Sequence, residues 1–244
     1  MSHFDLRGKS ILITGSTSGI GFEMSKEFNK LGACLNLLGR DQKKIDNLEQ
    51  LLENKLLTKF IKGDLNKDLD YIVSQIDCLD GIVFNAGVVA YQPLKFLKEE
   101  DYLKLFQTNY FSSIFLLKKL IKQRKINKGA SIVFISSLSA SIGVEGTLAY
   151  SASKASVDSS VKVLASELSR KKIRVNSIAP GIIQTPLLDN GVFNEEKHKI
   201  EEAKYPLGLG LPKDVVHSTQ FLLSDASRWI TGSVLELNGG YKLK

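Results

Sequence analysis

A tyrosine and a lysine stand four residues apart in the stretch AYSASK, residues 149–154, and only serine and alanine separate them. Residues at positions i and i+4 share one face of an α-helix. Tyr150 and Lys154 are therefore expected to point into one cleft, where the small residues between them leave room for a ligand. A phenol has a pKa of about 10, and a nearby ammonium lowers it by stabilising the phenolate. The pair predicts a general acid–base tyrosine tuned by the lysine, although such a pair alone is also typical of an ordinary helix surface.

Three short motifs favour the catalytic interpretation, because each of them ends an apolar run that is typical of a strand. The run SIVFISS ends in Ser136 and Ser137, thirteen residues before Tyr150, so a loop can return both to one crevice. The Ser137 hydroxyl is then placed to hold a substrate carbonyl while Tyr150 protonates it. The stretches FNAG (84–87) and PGIIQT (180–185) end two further runs at the same rim.

A glycine-rich stretch, ITGSTSGIG at residues 13–21, joins the first apolar run to the first helical pattern. Its glycines, Gly15, Gly19 and Gly21, permit positive φ and a close approach of the backbone to a ligand. The helix that follows offers free N–H groups and the positive end of its dipole to a pyrophosphate. The hydroxyls of Ser16, Thr17 and Ser18 add hydrogen-bond donors. The spacing departs from the usual G-x-G-x-x-G, and a plain tight turn is the alternative.

The end of the second apolar run bears on cofactor choice. Nucleotide-binding folds often carry an acid about 20 residues after such a turn, at the ribose 2′-hydroxyl. Here the run ends in LLGRD, with Gly39 where the acid is expected, then Arg40 and Asp41. A guanidinium suits a 2′-phosphate, so the sequence favours NADP(H) over NAD(H). The alternative is that Arg40 is a surface charge and Asp41 caps the next helix.

The elements that must position these residues alternate along the chain. Strands are predicted over 9–15, 33–40, 58–64, 80–87, 130–137, 173–181 and 232–240. Helices are predicted over 20–32, 42–54, 66–75, 99–125 and 214–225, and from near Tyr150 to 168. This order predicts an α/β fold, a Rossmann-type doubly wound seven-stranded parallel sheet with helices on both faces.

No repeat, linker or break in composition divides the sequence, so residues 1–244 are predicted to form a single domain. The least regular stretch, 182–211, follows a strand's carboxyl end, where sheets of this kind bind ligands. Long irregular segments in that position are often lids. The sequence predicts a substrate lid there, and its apolar residues are Leu187, Leu188, Val192 and Phe193.

The composition, with 43% hydrophobic and 24% charged residues, is that of a globular protein. The net charge of +7 would suit nucleic acid, but the lysines are scattered and no basic run is interleaved with aromatics. A solvated basic surface is predicted, with neither a nucleic-acid partner nor a metal site.

Cys34 and Cys78 are expected to be buried free thiols in a reducing compartment. With no signal-peptide pattern and no bilayer-spanning run, we predict a cytoplasmic protein without a membrane partner.

Over its whole length the sequence resembles the short-chain dehydrogenase/reductase family. The resemblance is carried by TGSTSGIG, NAG, the serine followed by Y-x-x-x-K, PGIIQT and WITGSVLELNGG, in that order. It implies that Ser137, Tyr150 and Lys154 are the catalytic triad. It also implies that Asn109, in FQTNYFSS, completes a tetrad by holding a water that links the lysine to solvent.

The resemblance further implies how a cofactor is held. The turn 15–21, including Ile20, is expected at the pyrophosphate, Asp64 and Leu65 beside the adenine, and Tyr150 and Lys154 at the nicotinamide ribose. Ile183 and Thr185 are expected at the carboxamide. The remaining expected contacts are Asn85, Ala86, Gly87, Pro180 and Gly181. The chain departs from the family pattern in lacking a basic residue in the glycine turn, which leaves Arg40 as the evidence for a 2′-phosphate, and in Phe84, where an asparagine is usual.

The function these features imply is reversible hydride transfer between NADP(H) and a carbonyl or secondary alcohol. Within the family the sequence looks closest to the 3-oxoacyl-acyl-carrier-protein reductases, which would give an acyl-thioester substrate and an acyl carrier protein as partner. Lys128 and Lys171, with Arg170 and Lys172, are candidates for meeting that acidic carrier near the cleft entrance, and solvated lysines are the alternative. A small alcohol, sugar or cyclic ketone is the second substrate class, and a non-catalytic NADP-binding regulator is a further alternative. The resemblance also implies a homotetramer that pairs the helices around 101–124 and 151–168.

Overall fold

The computed structural model describes residues 3–185 and 195–241, with side chains described outside 195–198. Seven strands in this part of the chain form one parallel sheet in the order β3-β2-β1-β4-β5-β6-β7. The strands are β1 Ser10–Thr14, β2 Cys34–Gly39, β3 Thr58–Lys62, β4 Leu79–Phe84, β5 Ile126–Ile135, β6 Arg174–Pro180 and β7 Val234–Leu237. The predicted fold class, a doubly wound parallel sheet, is confirmed.

Eight α-helices lie in the described residues. They are α1 Gly19–Lys30, α2 Gln42–Leu51, α3 Leu69–Ser74, α4 Glu99–Phe106, α5 Ser112–Lys122, α6 Leu148–Leu168, α7 Glu195–Glu202 and α8 Pro212–Leu223. They cover the two faces of the sheet. One hydrophobic cluster packs α3, α5 and α6 on one face, and a second packs α1, α2 and α8 on the other. Because both faces are covered, the strands are apolar runs rather than alternating patterns.

The sheet order reverses between β1 and β4, which pair in parallel with Ile13 opposite Val83. Strand β1 also pairs with β2 on its other side, so the loops after β1 and β4 leave the sheet in opposite directions. A crevice forms outside the carboxyl ends of the strands at such a switch point, and this is where open α/β sheets bind ligands. The glycine turn follows β1, and the stretch NAG follows β4.

The predicted helix over 99–125 is wrong in one respect, because it is not a single α-helix. A π-helical turn over Gln107–Phe111 separates α4 from α5, and it contains Asn109. The predicted helix near Tyr150 begins slightly earlier, at Leu148.

The expectation that both cysteines are buried is also wrong, because Cys34 is half-buried and Cys78 is exposed. Both are free thiols. Of the predicted lid, residues 186–194, with Leu187, Leu188, Val192 and Phe193, lie outside the described residues. Its two flanks are held together by the backbone hydrogen bond from Gln184 N to the Gly210 carbonyl, 2.8 Å.

Candidate active site

Tyr150, Lys154 and Ser137 lie together at the carboxyl edge of the sheet, as their spacing predicts. Helix α6 carries Tyr150 in its first turn and Lys154 one turn later. The Lys154 side chain is 5% exposed, its Nζ donates to the Ile135 carbonyl at 2.7 Å, and it lies 5.9 Å from the centre of the Tyr150 ring. Ser137 is the second residue after β5, and its hydroxyl is hydrogen-bonded to Tyr150. The geometry brings the three groups together, and their catalytic roles stay predictions.

The pKa of the Tyr150 phenol is raised from its ordinary value because burial disfavours the phenolate. The hydrogen bond with Ser137 acts in the opposite direction and is the smaller effect. The sequence-based expectation of a lowered tyrosine pKa is therefore wrong for this arrangement of side chains. The lysine ammonium donates to the Ile135 carbonyl and does not contact the phenol oxygen directly. Tyr150 is accordingly a protonated acid at neutral pH.

Burial also lowers the pKa of Lys154, from 10.5 to about 8. The negative charge of Asp158, one helical turn further along α6, opposes this and raises the lysine pKa. Near neutral pH Lys154 is therefore a buried cation, and its charged form is disfavoured by burial and favoured by Asp158.

Asn109 is buried in the π-helical turn and joins the loop after β4 to helix α6. Its Oδ1 accepts from the Val88 N–H at 2.8 Å, and its Nδ2 donates to the Val88 carbonyl at 2.9 Å and to the Ser153 hydroxyl at 3.2 Å. Ser153 lies between Tyr150 and Lys154 and donates to the Tyr150 carbonyl at 2.7 Å. Because both N–H groups of the amide are used, this side chain fixes the relative positions of the Val88 loop and helix α6.

The glycine turn and the NAG stretch are packed directly against each other. A Cβ on Gly21 would lie 2.2 Å from the Gly15 carbonyl oxygen, and one on Gly15 would lie 2.9 Å from Ala86 Cα. Asn85 donates from Nδ2 to the Thr14 and Gly15 carbonyls at 3.2 and 3.1 Å. Two of the predicted glycines are therefore required for contact between loops, and the Asn85 amide ties the loops together.

Thr14 is a residue of this region that the sequence reasoning missed. Its Oγ1 accepts from the N–H groups of Asn85 and Ala86 at 3.0 and 3.1 Å. A buried hydroxyl at the end of β1 thus orders the backbone of the neighbouring loop. The signal was present in the sequence, because a threonine immediately before a glycine turn is a polar residue at the end of an apolar run.

The N-terminus of α1 fits a dinucleotide pyrophosphate. Its cap residue, Ser18, makes no side-chain cap hydrogen bond, and its first turn has no acidic residue. Gly19 has φ of +52°, a conformation that favours glycine, and a Cβ there would lie 3.6 Å from Thr185. Unpaired N–H groups at a helix start bind anions well. Ser16 does not supply a donor, contrary to expectation, because its buried hydroxyl donates to the Leu38 carbonyl at 3.0 Å.

The expected adenosine end of the site brings Arg40, Asp64 and Thr17 together. Arg40 is exposed, and its Nη1 lies 3.8 Å from Asp64 Oδ2. A Cβ on Gly39 would lie 2.7 Å from Thr17 Cγ2, so a larger residue at position 39 would displace the glycine turn. Leu65 is 8% exposed and packs in the core, so only its backbone is available to an adenine.

At the other end of the site, the PGIIQT stretch leaves β6. Pro180 is the last residue of the strand, and a Cβ on Gly181 would lie 2.7 Å from the Tyr205 ring. The Ile182 N–H donates to the Tyr205 hydroxyl at 3.2 Å, and Ile183 pairs with Gly210. Tyr205 supports this turn, and sequence reasoning missed it because it lies in an irregular stretch.

Lys128 and Lys171 do not lie near the cleft entrance of their own chain, so that expectation is wrong. Lys128 is the third residue of β5, and Ser137 follows the carboxyl end of the same strand. The strand is irregular between Ile126 and Ser131, and the six residues from Ser131 to Ser137, at about 3.3 Å each, place the two ends roughly 20 Å apart. Lys171 follows the C-terminal end of α6 and lies at the same amino edge of the sheet as Lys128. It lines a cavity of about 410 Å³ together with Arg124 and four apolar side chains, Ile121, Ile126, Leu168 and Ile173.

The fold, the glycine turn and the Ser–Tyr–Lys cluster together define a nicotinamide-dinucleotide oxidoreductase of the short-chain type. A sequence model of the family described as enoyl-(acyl carrier protein) reductase matches residues 15–242, and the chain belongs to the short-chain dehydrogenase/reductase family. It is accordingly an NAD(P)-dependent enzyme of this family.

Several relatives are 32% identical to this chain. The 3-oxoacyl-[acyl-carrier-protein] reductase of Rickettsia conorii matches 97% of this chain and 98% of its own length. That of Haemophilus influenzae matches 98% of this chain and 100% of its own length. Among solved structures, the short-chain dehydrogenase/reductase SDR:Glucose/ribitol dehydrogenase of Brucella melitensis superimposes with a TM-score of 0.92 at 27% identity and 99% coverage of both chains. Within residues 3–185 and 195–241, no helix is both long enough and apolar enough to cross a bilayer.

Proposed function

We propose that the enzyme reduces the 3-oxo group of an acyl thioester carried by an acyl carrier protein, using NADPH. The observation that carries the proposal is the cluster of Ser137, Tyr150 and Lys154, in which a hydroxyl, a protonated phenol and a buried cation converge at the carboxyl edge. The full-length similarity to two 3-oxoacyl-[acyl-carrier-protein] reductases supports this substrate class.

The chain's own residues supply the proton and hold the reacting oxygen. When bound, a nicotinamide cofactor supplies the hydride in reduction and accepts it in oxidation. Burial raises the pKa of Tyr150, which keeps the phenol protonated and able to donate to the substrate oxygen. The Ser137 hydroxyl accepts from the Ser139 N–H and hydroxyl at 3.2 and 2.9 Å. Its own proton faces the Tyr150 oxygen, and a substrate oxygen bound between the two side chains would receive that proton as a hydrogen bond, as from an oxyanion-hole donor.

Lys154 and Asn109 prepare the site around the phenol. An ammonium has three N–H groups, and within the described residues one donates to the Ile135 carbonyl. The other two remain for a ribose hydroxyl and for a proton path to solvent. Asn109 keeps the Val88 loop against helix α6, which fixes the wall of the cleft opposite Tyr150.

The preference for NADP(H) rests on Arg40. Its exposed guanidinium lies beside the glycine turn and carries a loose ion pair with Asp64, at 3.8 Å. An exposed pair of this kind contributes little, so a 2′-phosphate can take the guanidinium from Asp64 at low cost. The crowding of Gly39 against Thr17 supports the same choice, because it disfavours an acid at the position that would bind a 2′-hydroxyl.

A homotetramer accounts for the apolar side chains exposed on the helices of one face. Leu103 on α4, Phe115 on α5, and Leu148 and Val163 on α6 are 42% or more exposed, and Trp229, before β7, is 89% exposed. Serines and alanines along α6 permit close helix approach. In such an assembly a carrier protein docked at Lys128 and Lys171 would deliver its acyl chain to a neighbouring subunit's cleft, since its own lies at the opposite sheet edge.

A second candidate substrate class is a small alcohol, sugar or cyclic ketone. The observation that favours it is the TM-score of 0.92 with the glucose/ribitol dehydrogenase of Brucella melitensis. A non-catalytic regulator is disfavoured, because the chain retains the serine, the tyrosine and the lysine in hydrogen-bonded positions.

The deciding experiment follows NADPH and NADH oxidation against acetoacetyl thioesters on acyl carrier protein and on coenzyme A, simple aldehydes, cyclic ketones and keto-sugars. We expect turnover of the carrier-bound thioester with NADPH, and a loss of about 10²–10⁴-fold in Tyr150→Phe with cofactor binding retained. Tyr71→Phe, a matched change at an exposed tyrosine on α3, should keep full activity. Turnover of a sugar or cyclic ketone alone would select the second class. Equal turnover in Tyr150→Phe would refute the mechanism.

A further inference from the structure

A carboxylate lies behind the catalytic lysine, in the space between helix α6 and strands β5 and β6. Asp158 follows Lys154 by four residues, so the two share one face of α6. The Ser177 hydroxyl, on β6, donates to Asp158 Oδ1 at 2.7 Å. Ser136, which precedes Ser137 at the end of β5, also hydrogen-bonds to Asp158 and donates to the Lys154 carbonyl at 3.3 Å.

We propose that Asp158 is a positioning residue for Lys154: its carboxylate, anchored by Ser177 and Ser136 one helical turn behind the lysine, keeps the Lys154 ammonium charged and directed toward Ile135 and the cleft. The inference deepens the proposed function and rests on it, because it assigns the group that controls the charge of the proposed catalytic cation.

The charges around Lys154 support this assignment. On α6 the titratable neighbours are Tyr150 and Asp158, and Lys162 acts on Asp158 from the next turn. From the loop after β4, Tyr91 acts on Tyr150. The polar groups that face the site from β5, β6 and the π-helical turn are uncharged: Ser136, Ser137, Ser177 and Asn109. Among the described residues, Asp158 is the acid that opposes the effect of burial on the pKa of Lys154.

The hydrogen bonds suit a charged carboxylate. The Ser177 hydroxyl donates to Asp158, and a carboxylate that accepts a hydrogen bond is stabilised in its ionised form. The pKa of Asp158 is raised, because the effect of burial exceeds the opposing effects of the two serines and of the lysines. The serines therefore hold a negative charge at a half-buried position where an unpaired carboxylate would be unfavourable.

A merely structural role is the alternative, in which Asp158 ties α6 to β6 through Ser177. Three variants distinguish the structural role from the effect on the charge of Lys154. Asp158→Asn removes the charge and keeps an oxygen that accepts from Ser177. Ser177→Ala removes the anchor and keeps the charge. Glu167→Gln makes the same charge change at an exposed position on the same helix.

The test titrates Lys154 by NMR in the full-length protein labelled with ¹³C at lysine Cε, with the resonance assigned by Lys154→Arg. We expect the titration midpoint of Lys154 to move to lower pH in Asp158→Asn, to remain in Glu167→Gln and Ser177→Ala, and to return toward the original value in Asp158→Glu. In the same variants the alkaline limb of the pH profile of kcat/KM should shift with the Lys154 midpoint. Ser177→Ala should lower Tm and leave both the midpoint and the pH profile unchanged.

An unchanged midpoint in Asp158→Asn, or an equal shift in Glu167→Gln, would overturn the proposal. Should Asp158→Asn not fold, Asp158→Ser keeps a hydrogen-bonding group and must show the same shift. Because the NMR titration needs neither cofactor nor substrate, its failure is distinguishable from failure to reduce any carbonyl in the panel.

Discussion

A single side chain, that of Asn109, satisfies both backbone groups of Val88: Oδ1 accepts the N–H at 2.8 Å and Nδ2 donates to the carbonyl at 2.9 Å. Asn109→Ala leaves two backbone groups in the protein without this partner. Val88 is 39% exposed, and each of the two hydrogen bonds contributes about 0.5–1.5 kcal/mol. We therefore expect a loss of about 1–3 kcal/mol in the free energy of unfolding, measured by urea denaturation. Turnover should fall as well, because the Val88 loop loses its attachment to α6.

The matched control for this change is Asn127→Ala. Asn127 donates to Asp80 Oδ1 at 2.8 Å near the amino end of β5, far from the cleft. It should keep full turnover whatever its effect on stability. Equal turnover in both variants would show that the Asn109 contacts do not support catalysis.

Close packing within the glycine turn predicts a sharp difference between Gly21 and another glycine, Gly143. In Gly21→Ala the new Cβ would lie 2.2 Å from a backbone oxygen, and backbone atoms cannot move aside cheaply. Overpacking costs about 1–3 kcal/mol or more, and we expect at least this loss in urea denaturation, together with weaker cofactor binding by fluorescence titration. In Gly143→Ala the Cβ meets no atom within 4 Å and φ is not positive. That variant should be neutral or gain about 0.4–1 kcal/mol.

Much of this architecture is predictable from sequence. Its parallel strands are buried on both faces, and each therefore has the sequence pattern of a short apolar run that ends in or is followed by small or polar residues. The carboxyl-edge placement of Ser137 and of the NAG stretch followed from that pattern alone. The π-helical turn around Asn109 was not predictable, because the apolar pattern from α4 to α5 continues across it and does not reveal the changed hydrogen bonding.

Hydrogen bonds between polar side chains that are distant in the sequence could not be predicted either. The pairing of Asp158 with Ser177 joins a helix to a strand, and nothing in the spacing of the two residues indicates it. The raised pKa of Tyr150 depends on burial, and the reach of the Lys154 ammonium toward Ile135 depends on backbone placement. The place of Lys128 and Lys171 at the amino edge of the sheet was not predictable either, because a resemblance gives positions in a chain and not their distance from the cleft.

Arg40 carries the prediction on cofactor preference. Arg40→Asp should lower the affinity for NADPH relative to NADH by about tenfold to a hundredfold, since hydrogen bonds to charged groups contribute about 1.5–3 kcal/mol. Fluorescence titration of both cofactors measures the ratio. Arg7→Asp makes the same change before β1, at the opposite edge of the sheet, and should leave the ratio as it is. An unchanged ratio in Arg40→Asp would remove the argument for a 2′-phosphate.

The buried charge of Lys154 predicts how stability depends on pH. Because its pKa is lowered from 10.5 to about 8 in the fold, the unfolded chain binds more protons than the folded chain between these values. Stability contributed by this group therefore rises as pH increases through that window, by about 3 kcal/mol in total. Lys154→Met lacks the group, so the native protein should gain stability relative to this variant from pH 8 to 10.5 in urea denaturation.

The control for the pH prediction replaces an exposed lysine at the start of α2, in Lys43→Met. The free energy of unfolding of Lys43→Met should change with pH in parallel with that of the native protein over the same range. Parallel curves for the native protein and Lys154→Met would show that the lysine is not protonated differently in the folded and unfolded chains.

Exposed apolar side chains on α5 and α6 predict the assembly state. Phe115 is 42% and Val163 56% exposed, and burying such groups contributes about 25 cal/mol per Å² of apolar surface. In a tetramer that pairs these helices, the double variant Phe115→Glu, Val163→Glu places charges in the interface, which is costly without partners. Analytical ultracentrifugation should show a tetramer for the native chain and smaller species for the variant. Leu56→Glu adds a charge at a fully exposed leucine and should leave the assembly intact. A native monomer would overturn the assembly, and with it delivery of a substrate from Lys128 and Lys171 to a neighbouring cleft.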